Sequence, residues 1–426
     1  MPDKQVSSKL KAAIWTARVI AGSVFILSGI TKAIDIWGFV FKINDYLAVW
    51  HIPQPHALVL ITASAISIAE FILGMAMATG SYKRTAPWML MAVMAVMLPL
   101  TAYIAIANPV ADCGCFGDFL IISNTATLLK NIAITALLAW LLVYNRRISG
   151  LYHPLSQWLQ TAIAVAYIIA TAAFGYHIQP LVDFRPFPEG TNLAKEIAEA
   201  QNNDNADNLV FIYEKEGESR QFGTDNLPDS TWTFVDRIEK QPRPASGTPI
   251  TLFDSDGDDV TSEAVTGHGT QMLLLIPDMA HIDIAATDLV ADLCNYVTKP
   301  PVNGSFAAIL PADAPDASET WTDLAMAEYP VYTADDTEIK QLARGTMSLV
   351  LLADGTIQWK RSVSSISPDL MENQDTDILQ QLDPQSRLTF ILLTSFFILA
   401  ELLLLALDKS SITIHHFIVR KNKKNT

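Results

Sequence analysis

Two cysteines separated by one glycine, in the run Asp112-Cys113-Gly114-Cys115-Phe116-Gly117-Asp118, are the residues best suited to chemistry. Thiols at this spacing close a small, strained ring, and strain makes a disulfide easier to reduce and so a better oxidant. Gly114 allows the backbone dihedrals such a ring demands. Asp112 and Asp118 act the other way, because flanking carboxylates disfavour thiolate unless a cation offsets them. The same spacing also suits a disulfide that braces a loop, or two unpaired cysteines at a bilayer edge, since Cys-x-Cys is less diagnostic than Cys-x-x-Cys. The third cysteine, Cys294, stands alone on the apolar face of a helical pattern and reads as a small core residue.

The elements that must position this pair are membrane spans. Of 426 residues, 50% are hydrophobic and 17% charged, and the mean hydropathy is +0.26, a combination that points to a bilayer protein. Spanning the hydrocarbon layer takes roughly 20 mostly apolar residues. Six stretches qualify, near 12–33, 57–79, 86–107, 121–143, 158–178 and 388–407. The first carries Arg18 and lacks a small-residue cleavage site, so it reads as a retained span rather than a signal peptide. Basic residues mark the cytoplasmic side. Lys4, Lys9 and Lys11, then Lys83 and Arg84, then Arg146 and Arg147, and finally Lys409, Arg420, Lys421, Lys423 and Lys424 fall in alternate connections and at the two ends. The expected topology has six crossings of a cell inner membrane with both termini cytoplasmic, and it places the dicysteine run and residues 181–386 on the extracytoplasmic, periplasmic side.

Charge follows the same division. The net charge of −15 argues against a nucleic-acid surface. Residues 180–386 hold 36 Asp and Glu against 12 Lys and Arg, whereas the remainder holds 8 acids and 17 bases. One part is an acidic soluble domain and the other is basic and apolar. The expected domains are 1–150 as a four-helix membrane domain, 151–180 as a fifth span, 181–386 as the acidic domain, and 387–426 as a sixth span with a basic tail.

Ionisable residues inside spans are costly unless paired or wetted. Glu70 lies mid-span and should face the bundle interior, neutral or paired with Arg18 or Lys130. Lys32 is nearer a surface, where it snorkels, and Glu401 reaches the headgroups. A structural pair is the leading reading, with proton handling linked to thiol chemistry as the alternative. Met91, Met94 and Met97 at helical spacing, with His51, His56 and His177, resemble a copper inventory. Packing explains the methionines better, and the histidines are not at ligand spacing, so no metal site is assigned.

In the acidic domain, QMLLLIPDM and SFAAILPAD read as buried strands and YPVYTA as a short extended run. IAATDLVADLCNYV, SETWTDLAMAE and TEIKQLAR have helical spacing, and SLVLLADGTIQWKRS reads as a hairpin turning at Asp354 and Gly355. The expected class is α/β or α+β. Residues 207–265 are expected to be β-rich, and 191–206 a short helix with a solvated linker. Asp254, Asp256 and Asp258 alternate as in a calcium loop, but Asp259 and Val265 stand where an EF-hand needs Gly and an acid, so a polar turn is expected.

The element order of this domain resembles a thioredoxin-like domain in degenerate form. DMAHIDIA stands where the redox Cys-x-x-Cys would sit, and Gly345-Thr346-Met347-Ser348 where the family usually has a proline. NPVADCGCFGD followed by LLKNIAI, with LSGITKAID and AEFILGMAMATG, resembles the DoxX-like/MauE group of four-helix membrane proteins over residues 12–145. With Asp183-Phe184-Arg185-Pro186-Phe187 included, the whole layout resembles Bacteroidota-type DoxX proteins that carry a degenerate thioredoxin-like domain. The resemblance implies a multi-pass α-helical membrane protein that supports maturation of a disulfide-rich periplasmic protein alongside a thioredoxin-like partner, with a family link to methylamine metabolism. Carried over by motif, the family's cysteines fall on Cys113 and Cys115.

The expected task is thiol-disulfide maturation of exported proteins. The expected partners are the bilayer and an extracytoplasmic client or thioredoxin-like protein. With no second dicysteine, one side of the electron path must be another protein or a membrane quinone. Two rivals stay open: a non-catalytic scaffold whose inert domain binds a partner, and an accessory subunit of a quinol-oxidising complex.

Overall fold

The computed structural model describes residues 7–424 other than 54, 108–112, 204–208, 216–217, 224–225, 229–230, 240–248, 315 and 373–376. The chain divides into two compact units, one of Met1–Tyr176, Pro180–Val182 and Gln385–Thr426, the other of His177–Gln179 and Asp183–Pro384.

The first unit is helical: α1 (Ser8–Ile34), α2 (Ile36–Val49), α3 (His56–Thr79), α4 (Thr85–Ala107), α5 (Asn124–Tyr144), α6 (Gln157–His177) and a terminal helix, Ser386–Lys424. Six of its helices are long and apolar enough to cross a membrane, and they coincide with the six stretches read from hydropathy. The seventh, α2, departs from the sequence reading, which treated this segment as a plain connection. Asp35 caps it by accepting from the Gly38 amide at 2.9 Å. Ile36, Trp37, Phe39 and Val40 are buried, so its first turns are held by tertiary packing rather than by a long apolar run. Trp37 is stacked between His56 and Tyr176, at 5.3 and 5.1 Å between ring centroids.

Helices α1 and α3 meet backbone to backbone. A Cβ on Gly29 would fall 2.5 Å from the Phe71 amide nitrogen, and one on Gly74 2.6 Å from that of Ile26. Small residues permit this approach, which replaces the missing hydrophobic drive within lipid by dispersion contacts. Arg18 occupies the other end of α1. Its guanidinium donates to Asn145 Oδ1 at 2.5 Å and to the carbonyls of Asn145, Ile148 and Ser149 at 2.8, 3.3 and 3.0 Å. It thereby satisfies carbonyls of the segment that follows α5. The terminal helix lies on α6, with Phe397 stacked on Tyr167 at 4.3 Å. Glu401 does not reach the headgroups: it is buried, and Oε2 accepts from the Tyr152 hydroxyl at 2.6 Å.

The second unit follows the order α7 (Leu193–Asn203), β1 (Leu209–Lys215), β2 (Glu218–Gly223), β3 (Thr233–Glu239), α8 (Thr261–Ala264), β4 (Thr270–Leu275), α9 (Thr287–Thr298), β5 (Ser305–Pro311), α10 (Ala317–Ala325), β6 (Val331–Ala334), α11 (Asp336–Leu342), β7 (Ser348–Ala353), β8 (Thr356–Ser362) and α12 (Ile378–Leu382). Strands β1 to β3 form an antiparallel sheet of order β2-β1-β3. The other five form a mixed sheet, β6-β5-β4-β7-β8, in which β4, β5 and β6 are parallel, β7 runs against them and β8 turns back to run with them.

Strand β4 reads as an unbroken apolar run because both its faces are covered. Met272 and Leu274 pack with Leu289, Leu293 and Trp321 on one side. Leu273 and Leu275 pack with Leu193, Ile339 and Leu342 on the other. Asp354 and Gly355 turn the β7–β8 hairpin with φ of 47° and 72°, as the type I′ signature requires. In the acidic run, Asp254 Oδ1 accepts from the amides of Asp256 and Asp258 at 2.9 and 3.0 Å, closing a polar turn.

Candidate functional site

The dicysteine run emerges from α4 and returns to α5 through a short 3-10 turn, Gly117–Phe119. Asp112 lies outside the described residues. Cys113 and Cys115 are free thiols with Sγ atoms 2.9 Å apart. Gly114 between them has φ +64°, and a Cβ there would meet Lys42 Cγ at 2.6 Å. Two carbonyls fix the loop. Cys113 accepts from the Tyr46 hydroxyl of α2 at 2.7 Å, and the Cys115 carbonyl lies 2.7 Å from the Ser28 hydroxyl of α1. The helix that sequence reading missed is therefore one of the two supports of the pair.

Ser28 connects the loop to charge. Its Oγ is 2.8 Å from Glu70 Oε2 and accepts from Lys32 Nζ at 3.0 Å, while Lys32 Nζ lies 2.7 Å from the same carboxylate oxygen. Lys32 and Glu70 side chains are only 2% and 4% exposed, so neither charge is solvated by water. This corrects two sequence expectations. Glu70 pairs with neither Arg18 nor Lys130, because Arg18, about four turns from Lys32 along α1, is spent on the carbonyls that follow α5 and Lys130 is placed over the Phe116 ring. Lys32 does not snorkel, because the carboxylate across the α1–α3 seam is nearer than any surface.

Lys130 of α5 holds Nζ over the Phe116 ring, 4.3 Å from its centroid. Lys130, Glu70, Ser28, Asn131 and Cys115 line one small cavity of about 30 Å³, with Val24, Phe25, Met94, Met97 and Ile134 as its apolar wall. That is room for a water molecule. Met94 and Met97 thus act as packing there, and among the described residues no group of three metal-binding side chains converges. Of the six residues singled out from sequence, the fold brings Cys113, Cys115, Glu70, Lys32 and Lys130 together and leaves Arg18 apart.

The two thiols are electrostatically unequal. A hydrogen bond from Cys113 holds Cys115 below the ordinary thiol value, at about 6, against burial and the Glu70 charge, with Lys130 and Lys32 adding to the depression. Cys113 is pushed up by donating that bond, by burial and by the neighbouring sulfur's charge. Of the reduced pair, Cys115 is the sulfur favoured to ionise first.

In the second unit the position after β4 holds Asp278 and His281, with Nδ1 2.7 Å from Oδ2. The half-buried Cys294 of α9 packs against the adjoining core. Ahead of β7, Gln179 donates to the Arg344 carbonyl at 2.6 Å and accepts from its amide at 3.1 Å. Asp183 binds Arg185 through 2.6 and 2.8 Å contacts and Lys360 at 2.8 Å.

Six apolar helices with buried ion pairing inside the bundle make this a multi-pass helical membrane protein. Residues 10–144 match the family model of methylamine utilisation protein MauE. Residues 208–243 match a domain of unknown function (DUF8463). No curated protein and no solved structure matches the chain.

Ser28, Asn131 and Tyr46 were not singled out from sequence. Ser28 had a signal, being one helical turn before Lys32 in LSGITKAID, whereas Tyr46 had none without α2.

Proposed function

We propose that this protein supports thiol-disulfide maturation of exported proteins at an inner membrane, as a MauE-like redox component with both termini cytoplasmic and the dicysteine loop and residues 181–386 extracytoplasmic. The observation that carries the reading is the Cys113–Cys115 contact above a cavity holding Lys130 and Glu70. In the oxidised state a client thiolate attacks Cys113, because the sulfur with the lower pKa leaves more readily and Cys115 departs as thiolate. The client's second thiol then displaces Cys113. Two electrons and one proton have passed from the client dithiol to the pair, the other client proton has gone to solvent, and the client has gained a disulfide. The pair passes the two electrons to a two-electron acceptor, a partner protein or a membrane quinone, and releases the Cys113 proton. The family's link to methylamine utilisation makes a dehydrogenase of that process one class of client.

The test is thiol trapping in cells followed by mass spectrometry. Cycling of both cysteines between thiol and disulfide is expected, with misoxidised clients in the Cys113→Ser/Cys115→Ser double variant; a pair locked in one state in all growth conditions would refute the reading. The scaffold alternative is favoured by one observation, the Asp278–His281 pair where a degenerate thioredoxin-like domain would otherwise have its thiols. It expects client oxidation unchanged in the double variant. A quinone that copurifies with the chain would favour either a quinone-coupled cycle or the accessory-subunit reading, which the double variant again separates.

A further inference from the structure

The cavity beside Cys115 is lined by one cation, Lys130, and one anion, Glu70, and that anion already has a partner in Lys32. Lys32 and Glu70 neutralise one another at 2.7 Å, so Glu70 brings no spare charge to the sulfur. Lys130 is different: its contact is the face of Phe116, and among the described residues no carboxylate pairs with it. Lys130 and Cys115 line the same cavity, whose apolar wall is Val24, Phe25, Met94, Met97 and Ile134. An uncompensated cation in such surroundings is costly, and it is stabilised by any anion that forms beside it.

We propose that Lys130 is the counter-ion of the reduced pair, a positioning residue that holds Cys115 as a buried thiolate and so makes it the sulfur that leaves. The proposal rests on the thiol-exchange reading but concerns the sulfur's charge rather than its partners. Other charged groups near the loop do not supply this function. Lys32 is spent on Glu70, and Lys42 of α2 lies against Gly114 and within 4.0 Å of Asp45. Asp118 adds negative charge on the loop itself, and the wall that α4 contributes is Met94 and Met97. In the reduced state the loop carries one proton on Cys113, one negative charge on Cys115 and one positive charge on Lys130. Oxidation removes two electrons and the Cys113 proton and leaves Lys130 without its partner. The charge on Lys130 therefore favours the reduced state and makes the disulfide the more oxidising.

The experiment uses the full chain, reduced, in detergent, with iodoacetamide alkylation of Cys115 followed peptide by peptide across pH. Lys130→Met is expected to raise the midpoint by about 1 pH unit, a roughly tenfold slower reaction below it. Lys130→Arg should keep the wild-type midpoint. Glu70→Gln removes a negative charge and should leave the midpoint unchanged or lower it, so the two variants move apart rather than together. Lys130→Gln replaces Lys130→Met if the latter fails to insert. An unchanged midpoint in both neutral variants, or a rise in Glu70→Gln equal to theirs, overturns the proposal. If the pair never cycles in cells while these midpoints shift as expected, the maturation role fails and the counter-ion stands.

Discussion

Lys32 and Glu70 face each other across the α1–α3 seam with Nζ 2.7 Å from Oε2, and Ser28 links that carboxylate to the dicysteine loop. Removing one partner of such a pair strands the other charge. Lys32→Met is expected to cost about 3–5 kcal/mol. Lys32→Met/Glu70→Met should recover most of that, because two apolar side chains leave nothing unpaired. Thermal unfolding of the detergent-solubilised chain decides; a double variant as unstable as the single one would show that the pair contributes something other than mutual neutralisation.

Gly114 has φ +64°, where an L side chain is disfavoured by roughly 1–2 kcal/mol, and Lys42 Cγ occupies the space a methyl would need. Gly114→Ala should slow closure of the Cys113–Cys115 disulfide by roughly tenfold if that cost appears in the transition state. Stopped-flow oxidation by a small disulfide reagent measures it. An unaltered rate would mean the loop opens before the sulfurs react.

Tyr152 supplies the hydroxyl for Glu401 Oε2, and Glu401 Oε1 is buried without a partner. Tyr152→Phe is expected to destabilise the contact between the terminal helix and the α5–α6 connection by about 1–3 kcal/mol. Adding Glu401→Gln should recover part of it, an amide being cheaper to leave unpaired than a carboxylate. Melting curves of the three variants test both statements.

Asp183 is raised by burial but held far below the usual carboxylate range by Arg185 and Lys360, and burial lowers Lys360 to about 8. A carboxylate with a depressed folded pKa contributes stability that is complete above its unfolded value and is lost as pH falls towards the folded one. The contribution should be flat at neutral pH and decline below about pH 4. Asp183→Asn should remove that acid dependence and, by leaving two buried cations unneutralised, cost about 3–5 kcal/mol at neutral pH. Acid titration of the unfolding midpoint, variant against wild type, checks the sign.

The spans were legible because each is a long apolar run, the strands β4, β5 and β7 because burial leaves them continuously hydrophobic, and β8 because Asp354 and Gly355 mark the hairpin that leads into it. What escaped was anything set by packing between helices. Lys32 and Glu70 are far apart in the chain, and nothing in either segment says which basic residue crosses the seam. Helix α2 escaped because IWGFVFKINDYLAV is too short and too mixed to read as a span, and its capping Asp35 belongs by eye to the end of α1. The cysteines were found by type and spacing, but their inequality depends first on the hydrogen bond between them, which a one-dimensional reading does not show.

The contact of backbones at Gly22, Gly29 and Gly74 leaves no slack between α1 and α3. A single added methyl group would push the two cylinders apart, and the displacement would be passed to the ammonium, the carboxylate and the hydroxyl that share the seam. A genetic screen for lost thiol behaviour should then recover lesions at these three glycines, none of which touches sulfur. The tolerance with which the dicysteine loop is seated is set, in effect, by the absence of three side chains.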